Sequence, residues 1–123
     1  MTDAEDRARV PFYFDASLPA TQAFVEPLRE LLRQGFAYAG YQDGEVQQMA
    51  GAIETEVAQG LPERQARGVL RVRMERDAHS FHVDVTAPHL PLTPPPVGLM
   101  DRVSVHAEAG GTRHRFTRHL PGL

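Results

Sequence analysis

The sequence predicts an α+β domain, a two-layer sandwich in which an antiparallel sheet carries two main helices on one face. Three observations predict it. Apolar residues recur twice at helical spacing between Thr21 and Leu61. From Leu70 onward they recur at every second position instead. The chain has 123 residues, 41% of them apolar and 24% charged, which is the make-up of one globular domain able to hold its own core.

The elements follow in order. Residues 1–9 alternate acids, Arg and Ala and are expected to be a flexible start, leaving residues 10–123 as a single α/β sandwich domain. Val10-Pro11-Phe12-Tyr13-Phe14-Asp15 reads as a strand, placed at a sheet edge by Pro11. Phe24, Leu28, Leu31, Leu32 and Phe36 then line one face of a helix, with Thr21 as its N-cap and the stretch from Gly35 to Gly40 as its end. Pro27 is awkward there, because it removes a backbone donor and can kink the first turns. Asp43 caps a second helix whose stripe is Val46, Met49, Ala50, Ile53, Val57 and Leu61, closed by Gly60 and Pro62.

Leu70, Val72 and Met74 alternate with Arg71, Arg73 and Glu75, and Phe81, Val83 and Val85 alternate with His82, Asp84 and Thr86. With Asp77-Ala78 between them, these runs read as a hairpin with one buried and one polar face. Ala87 to Gly98 holds five prolines and is neither helix nor central strand; it reads as a stiff connector. Its PxxP spacings also fit a polyproline ligand. Val103, Val105 and Ala107 resume the alternation, Gly110-Gly111 turns the chain, and Thr112 to Leu120 is a last strand around Phe116. The expected core is Phe24, Leu28, Leu31, Ile53, Val57, Val72, Phe81, Val83, Val105 and Phe116.

Composition excludes several chemistries. No Cys is present, so there is no disulfide framework, thiol nucleophile or zinc–thiolate site. The absence of Lys removes Schiff-base and P-loop chemistry. No apolar run reaches 18 residues, and the acidic start Met1-Thr2-Asp3-Ala4-Glu5-Asp6 does not read as a secretory signal, so the expected location is cytoplasmic and no membrane partner is expected.

Charge is unevenly spread. Residues 1–60 hold four Arg against ten acids, a balance of −6, while residues 61–123 hold nine Arg against six acids, a balance of +3. The polar face of the sheet would carry Arg71, Arg73, Arg102, Arg113 and Arg115. Phosphate neutralisation is one use for such a face. Against it, the chain is acidic overall, Glu75 and Asp84 dilute the patch, and no exposed aromatic series offers base stacking. An acidic protein partner or a second copy uses arginine better. Arg71, Arg73, Arg113 and Arg115 are therefore the expected interaction residues. They would repel one another if left alone, so carboxylates of a partner or of the acidic helices of a second copy should meet them.

All six His lie from His79 onward. His82 and Asp84 share the polar face, and His106 is a candidate third ligand across the ladder, a set able to hold zinc or iron. No His-x-His or HExxH spacing supports it, and ordinary sheet histidines account for the same residues. No metal and no cofactor are expected.

One further pattern concerns the order of the elements. Ser17-Leu18-Pro19-Ala20 precedes a helix, Gly40 follows it, and Ala52-Ile53-Glu54-Thr55-Glu56-Val57-Ala58 forms the second helix. Leu99-Met100-Asp101-Arg102-Val103-Ser104-Val105 and Gly110-Gly111-Thr112 come later. Together, over about residues 10–120, they resemble the anti-sigma-factor serine kinases of the histidine-kinase-like (GHKL, Bergerat-fold) ATPases. The resemblance implies that fold, here with a truncated lid.

It also implies what the site lacks. The family's second helix carries a catalytic Glu and, four residues on, an Asn that binds magnesium. Glu54 matches the Glu, but position 58 is Ala and the chain has no Asn. The family's Asp-x-Gly-x-Gly, which holds adenine and admits the nucleotide, is replaced by Thr86-Ala87-Pro88-His89. The proline-rich Leu90–Val97 stands where the lid would be, without the N–H groups of a phosphate cradle. The expectation is a degenerate, non-catalytic relative, not an enzyme. It would serve as a protein-interaction module in bacterial signalling or transcription control, with a regulator, sigma factor, anti-sigma antagonist or second copy as partner. An active serine kinase with an atypical site, and a metal- or small-ligand-binding domain, are the alternatives.

Overall fold

The computed structural model describes residues 12–66, 68–95 and 97–121. Residues 1–9, expected to be flexible, and Val10 and Pro11 of the first predicted strand lie outside the described residues. Among the described residues the chain is α+β, with a five-stranded antiparallel sheet and two helices. Strand β1 (Phe12–Pro19) is followed by a short 3-10 turn (Gln22–Phe24) and helices α1 (Val25–Tyr38) and α2 (Asp43–Ala58). Then come β2 (Val69–Arg76), β3 (Ser80–Ala87), β4 (Arg102–Glu108) and β5 (Gly111–His119). The strand order is β1-β2-β3-β5-β4, so β1 and β4 are the edges.

The predicted edge strand is in place and longer than its aromatic start indicated. Phe12, Phe14 and Leu18 of β1 pack on the core, while Tyr13, Asp15 and Ser17 point away from it. Helix α2 buries Val46, Met49, Ala50, Ile53 and Val57, five members of the predicted stripe, and Leu61 follows them into the core. Helix α1 buries Leu28, Leu32, Gly35 and Phe36. These meet Leu70, Val72, Met74, Phe81, Val83, Val85 and Phe116 from the sheet in one cluster.

Several local expectations are corrected. Thr21 makes no side-chain cap bond, and the chain enters α1 through the 3-10 turn, so Phe24 stays half-buried. Pro27 falls in the first turn of α1, where its missing N–H has no intrahelical partner to lose. The helix ends inside the expected stretch, at Tyr38, and the absent side chain at Gly35 leaves room for Met74 and Phe81 of the sheet. Gly40, at φ +99°, ends it. Gln42, not Asp43, is the N-cap of α2, and Asp43 is its first helical residue. Leu31 and Val105 are half-buried; Val105 lies on the outermost strand, at the limit of the helical layer.

The proline segment is more than a connector. Leu90, Pro95 and Val97 are buried, so the segment covers the helix side of the sheet next to α2. His114 of β5, 1% exposed, fixes it by donating from Nε2 to the Pro91 carbonyl at 2.7 Å. His89 reaches the Val57 carbonyl of α2 in the same way, at 2.7 Å. Tyr41, after α1, donates its hydroxyl to the His119 carbonyl at 2.7 Å, and burial pushes its own pKa up to about 12.

Candidate functional site on the open face of the sheet

The helices and the proline segment cover one face of the sheet, and among the described residues no element covers the other. The ladder registers align its side chains into rows. The central row, from β1 to β4, reads Asp15, Arg73, Asp84, Arg115, Ser104. Charge alternates in sign across its first four strands. One flanking row reads Ser17, Arg71, Thr86, Arg113, His106, and the other Tyr13, Glu75, His82, Thr117, Arg102. All five arginines expected on this face, Arg71, Arg73, Arg102, Arg113 and Arg115, are on it.

The expectation that these arginines need carboxylates from outside is corrected. Arg71 grips Asp15 with two bonds, Nη2 at 2.6 Å and Nε at 3.1 Å, and this guanidinium holds the Asp15 carboxyl below its usual range. Arg73 donates to the Tyr13 hydroxyl at 3.1 Å and lies over its ring. Arg113 sits 3.0 Å from Glu108. Arg115 bridges Asp84 at 3.1 Å and Glu75 at 2.7 Å. These acids are brought in by strand register, across separations as long as the 56 residues between Asp15 and Arg71. At the exposed rim such pairs contribute about 0.2–1 kcal/mol each. Asp84 is different. Only 4% exposed, its carboxyl is pushed up by burial, against the pull of Arg115 and then Arg113.

The histidines do not assemble into a metal centre. His82 places Nδ1 2.9 Å from Thr117 Oγ1 and Nε2 3.0 Å from Asp77 Oδ2. That contact with His82 is the main cause holding the Asp77 carboxyl down at about 2. Asp84 is taken up by arginine, and His106 contacts Ser104 Oγ at 3.2 Å, two strands away from β3. Among the described residues no group of three His, Asp or Glu is placed to hold an ion. Sequence reasoning missed the two histidines with a structural bond to the chain's own carbonyls, His89 and His114. A His at the even, core-facing positions of the last strand, between Thr112 and Phe116, was the available signal for His114.

Glu54 lies on the opposite side of the molecule, on the helical surface. It is 3.6 Å from Arg29 of α1 and its side chain is 23% exposed, an inter-helix ion pair. The helix side has modest clefts, one of about 410 Å³ between α2 and the turn at Val97-Gly98-Leu99. Two larger clefts, each of about 600 Å³, open on the sheet face. One lies beside Arg71, Arg73, Thr86 and the β4–β5 turn. The other runs along β4 and β5 past His82, Arg102, Ser104, Thr117 and His119. Arg102 has no carboxylate partner among the described residues.

No helix among the described residues is long and apolar enough to cross a membrane. No protein-family model matches the sequence, and no curated protein matches it.

Proposed function

We propose that this chain is a non-catalytic protein-interaction module that docks a partner on the open face of its sheet. The single observation that carries the reading is the location of the two 600 Å³ clefts, both on the charged face that no helix among the described residues covers. A central row of fixed, alternating charge suits recognition of a complementary surface, since it sets register and excludes mismatched partners. The chemistry that would make it an enzyme has little support. Glu54 is engaged with Arg29, Ala58 offers no metal ligand, and the proline segment turns Leu90 and Val97 inward where a nucleotide lid would need to open.

The resemblance to the anti-sigma-factor kinases gives the module its setting. A degenerate member with a histidine-kinase-like ATPase fold would act in bacterial signalling or transcription control, with a regulator, sigma factor or anti-sigma antagonist as partner. The two-helix, antiparallel-sheet architecture supports that reading at the level of class. A second reading, small-ligand binding, is favoured by one observation: Arg102, without a carboxylate partner among the described residues, lies beside His119 and the hydroxyls of Ser104 and Thr117 in one cleft.

The test is affinity capture from the encoding organism, followed by reconstitution with the purified candidate partner. Arg71→Glu with Arg73→Glu should abolish reconstituted binding while the thermal transition persists. Unchanged binding by the folded double variant would remove the sheet face from the argument. Saturable binding of magnesium-ATP below about 1 mM, a free energy near −4 kcal/mol, would restore the kinase reading.

A further inference from the structure

We propose that β4 is a homodimerisation edge. Two copies pair β4 with β4 in antiparallel register about a two-fold axis at Val105, and the two five-stranded sheets join into one.

Backbone direction makes the edge available. Leu120 N–H donates to the His79 carbonyl, which makes Ser80–His119 a non-hydrogen-bonded pair of the β3–β5 ladder. The registers of β5 with β3 and with β4 run without a skip. By alternation, Arg113, Arg115 and Thr117 of β5 then turn their backbone groups toward β4 and pair with His106, Ser104 and Arg102. Val103, Val105 and Ala107 therefore direct their N–H and C=O groups outward, to an edge that no strand among the described residues pairs with.

The residue order of β4 is self-complementary. Its seven residues read Arg102-Val103-Ser104-Val105-His106-Ala107-Glu108. An antiparallel pair centred on Val105 sets Val105 against Val105, Val103 against Ala107, Ser104 against His106 and Arg102 against Glu108 of the second copy. The charges at the two ends are opposite. Arg102 has no carboxylate partner among the described residues, and the Glu108 side chain, 39% exposed, keeps room for a second donor beside Arg113. On the helix side, Val103 and Val105 are half-buried and Ala107 is exposed, so the pair would close an apolar strip across the axis.

The other edge is guarded. β1 ends in Pro19, and its central outward residue, Asp15, would face another acid in the corresponding self-pairing. β4 has no proline, and its register with β5 runs without a skip from Arg102 to Glu108. Pairing at β4 is isologous, so it closes at two copies and does not propagate.

This inference does not rest on the docking reading, because it is carried by the outward backbone groups and residue order of the β4 edge, whereas the docking reading is carried by clefts on the open face of the sheet. Sedimentation equilibrium of the full chain should give the dimer mass at about 100 μM, a concentration at which a Kd of about 10 μM leaves most chains paired. Val105→Pro removes an outward N–H and no β4–β5 bond, and should give a folded monomer. Should that variant unfold, Val105→Cys decides. The native chain has no cysteine, and opposed residues of a hydrogen-bonded pair sit about 5.5 Å apart at Cα, within disulfide reach. Mild oxidation should link Val105→Cys into covalent dimers and leave Ser17→Cys, on β1, unlinked. A native chain that is monomeric at that concentration, a folded Val105→Pro dimer, or equal cross-linking at Ser17 would overturn the proposal.

Discussion

Arg115 of β5 stands directly opposite Asp84 of β3 and holds it with one arm at 3.1 Å, while its other arm reaches Glu75 of β2 at 2.7 Å. One guanidinium thus ties three strands through a carboxylate that is itself buried. Removing the cation leaves Asp84 with Arg113 at 3.9 Å as its nearest support. Arg115→Ala should cost about 3 kcal/mol at neutral pH, measured by urea unfolding. The pH dependence has a definite sign. Burial already raises the Asp84 pKa, and losing Arg115 raises it further, so the variant's folded state takes up a proton more readily than its unfolded state. Its deficit should shrink as the pH is lowered through the folded pKa. A deficit independent of pH would locate the loss in the Arg115 stem and not in the stranded carboxylate.

His114 should be a fastener of the proline segment. Its ring is buried between the sheet and that segment, with Nε2–H on the Pro91 carbonyl and Nδ1 without a partner. His114→Leu fills the space but orphans the carbonyl, at a cost of about 1–3 kcal/mol. Residues 88–95 should then become accessible to protease in the otherwise folded chain. Unchanged protection would mean that Leu90 and Val97 hold the segment without it.

The contrast between these sites and the helices shows which parts of the molecule were readable. The stripe of α2 and the alternation of β2 and β3 are local patterns fixed by a period, and Ile53, Val72 and Val83 are fully buried as those periods require. The pairing of Asp15 with Arg71 and Arg73 was not readable, because it depends on β1 lying beside β2 in one register, which no local period encodes. The four arginines were therefore placed on the correct face but counted as unpartnered. The caps failed for a related reason. Thr21 stands at the N-cap of the 3-10 turn, one turn ahead of α1 and without a side-chain cap bond, and Asp43 lies one position inside α2.

Ile53 offers a direct test of the layer arrangement. Its side chain is wholly buried against the sheet cluster. Ile53→Ala should cost about 2–5 kcal/mol in chemical denaturation, with the spread set by how far the neighbours relax into the space. A loss under about 0.5 kcal/mol would be incompatible with α2 facing the sheet.

The β4–β5 turn should be just as intolerant at one backbone position. Gly111 has φ +127°, and a Cβ there would meet the Ala87 carbonyl oxygen at 2.5 Å. Neither atom can swing aside, since both belong to paired strands. Gly111→Ala should cost at least about 2 kcal/mol, strain and clash together. Gly110→Ala, whose nearest neighbour is the Thr86 methyl at 3.9 Å, should cost far less. Equal effects at the two positions would mean that the turn is free to reorganise.

Asp77 makes the turn between β2 and β3 dependent on acid. Its Oδ1 accepts the N–H groups of His79 at 2.8 Å and Ser80 at 2.7 Å, while Oδ2 faces His82 Nε2. The carboxyl titrates at about 2 in the fold against an ordinary 3.8, chiefly through His82. A depressed folded pKa means that the stabilisation is complete above about pH 4 and disappears as the pH falls through about 2. The side chain is 58% exposed, so screening reduces the contribution to about 1 kcal/mol. Asp77→Asn keeps an acceptor for both backbone N–H groups and removes only the charge. It should lie about 1 kcal/mol below the native chain at pH 6 and converge with it by about pH 2. Asp77→Ala, which loses the turn bonds as well, should stay below both at every pH. If the Asn variant instead ran parallel to the native curve across this range, the acid sensitivity would belong to another carboxylate, and the Asp77–His82 contact would contribute nothing to stability.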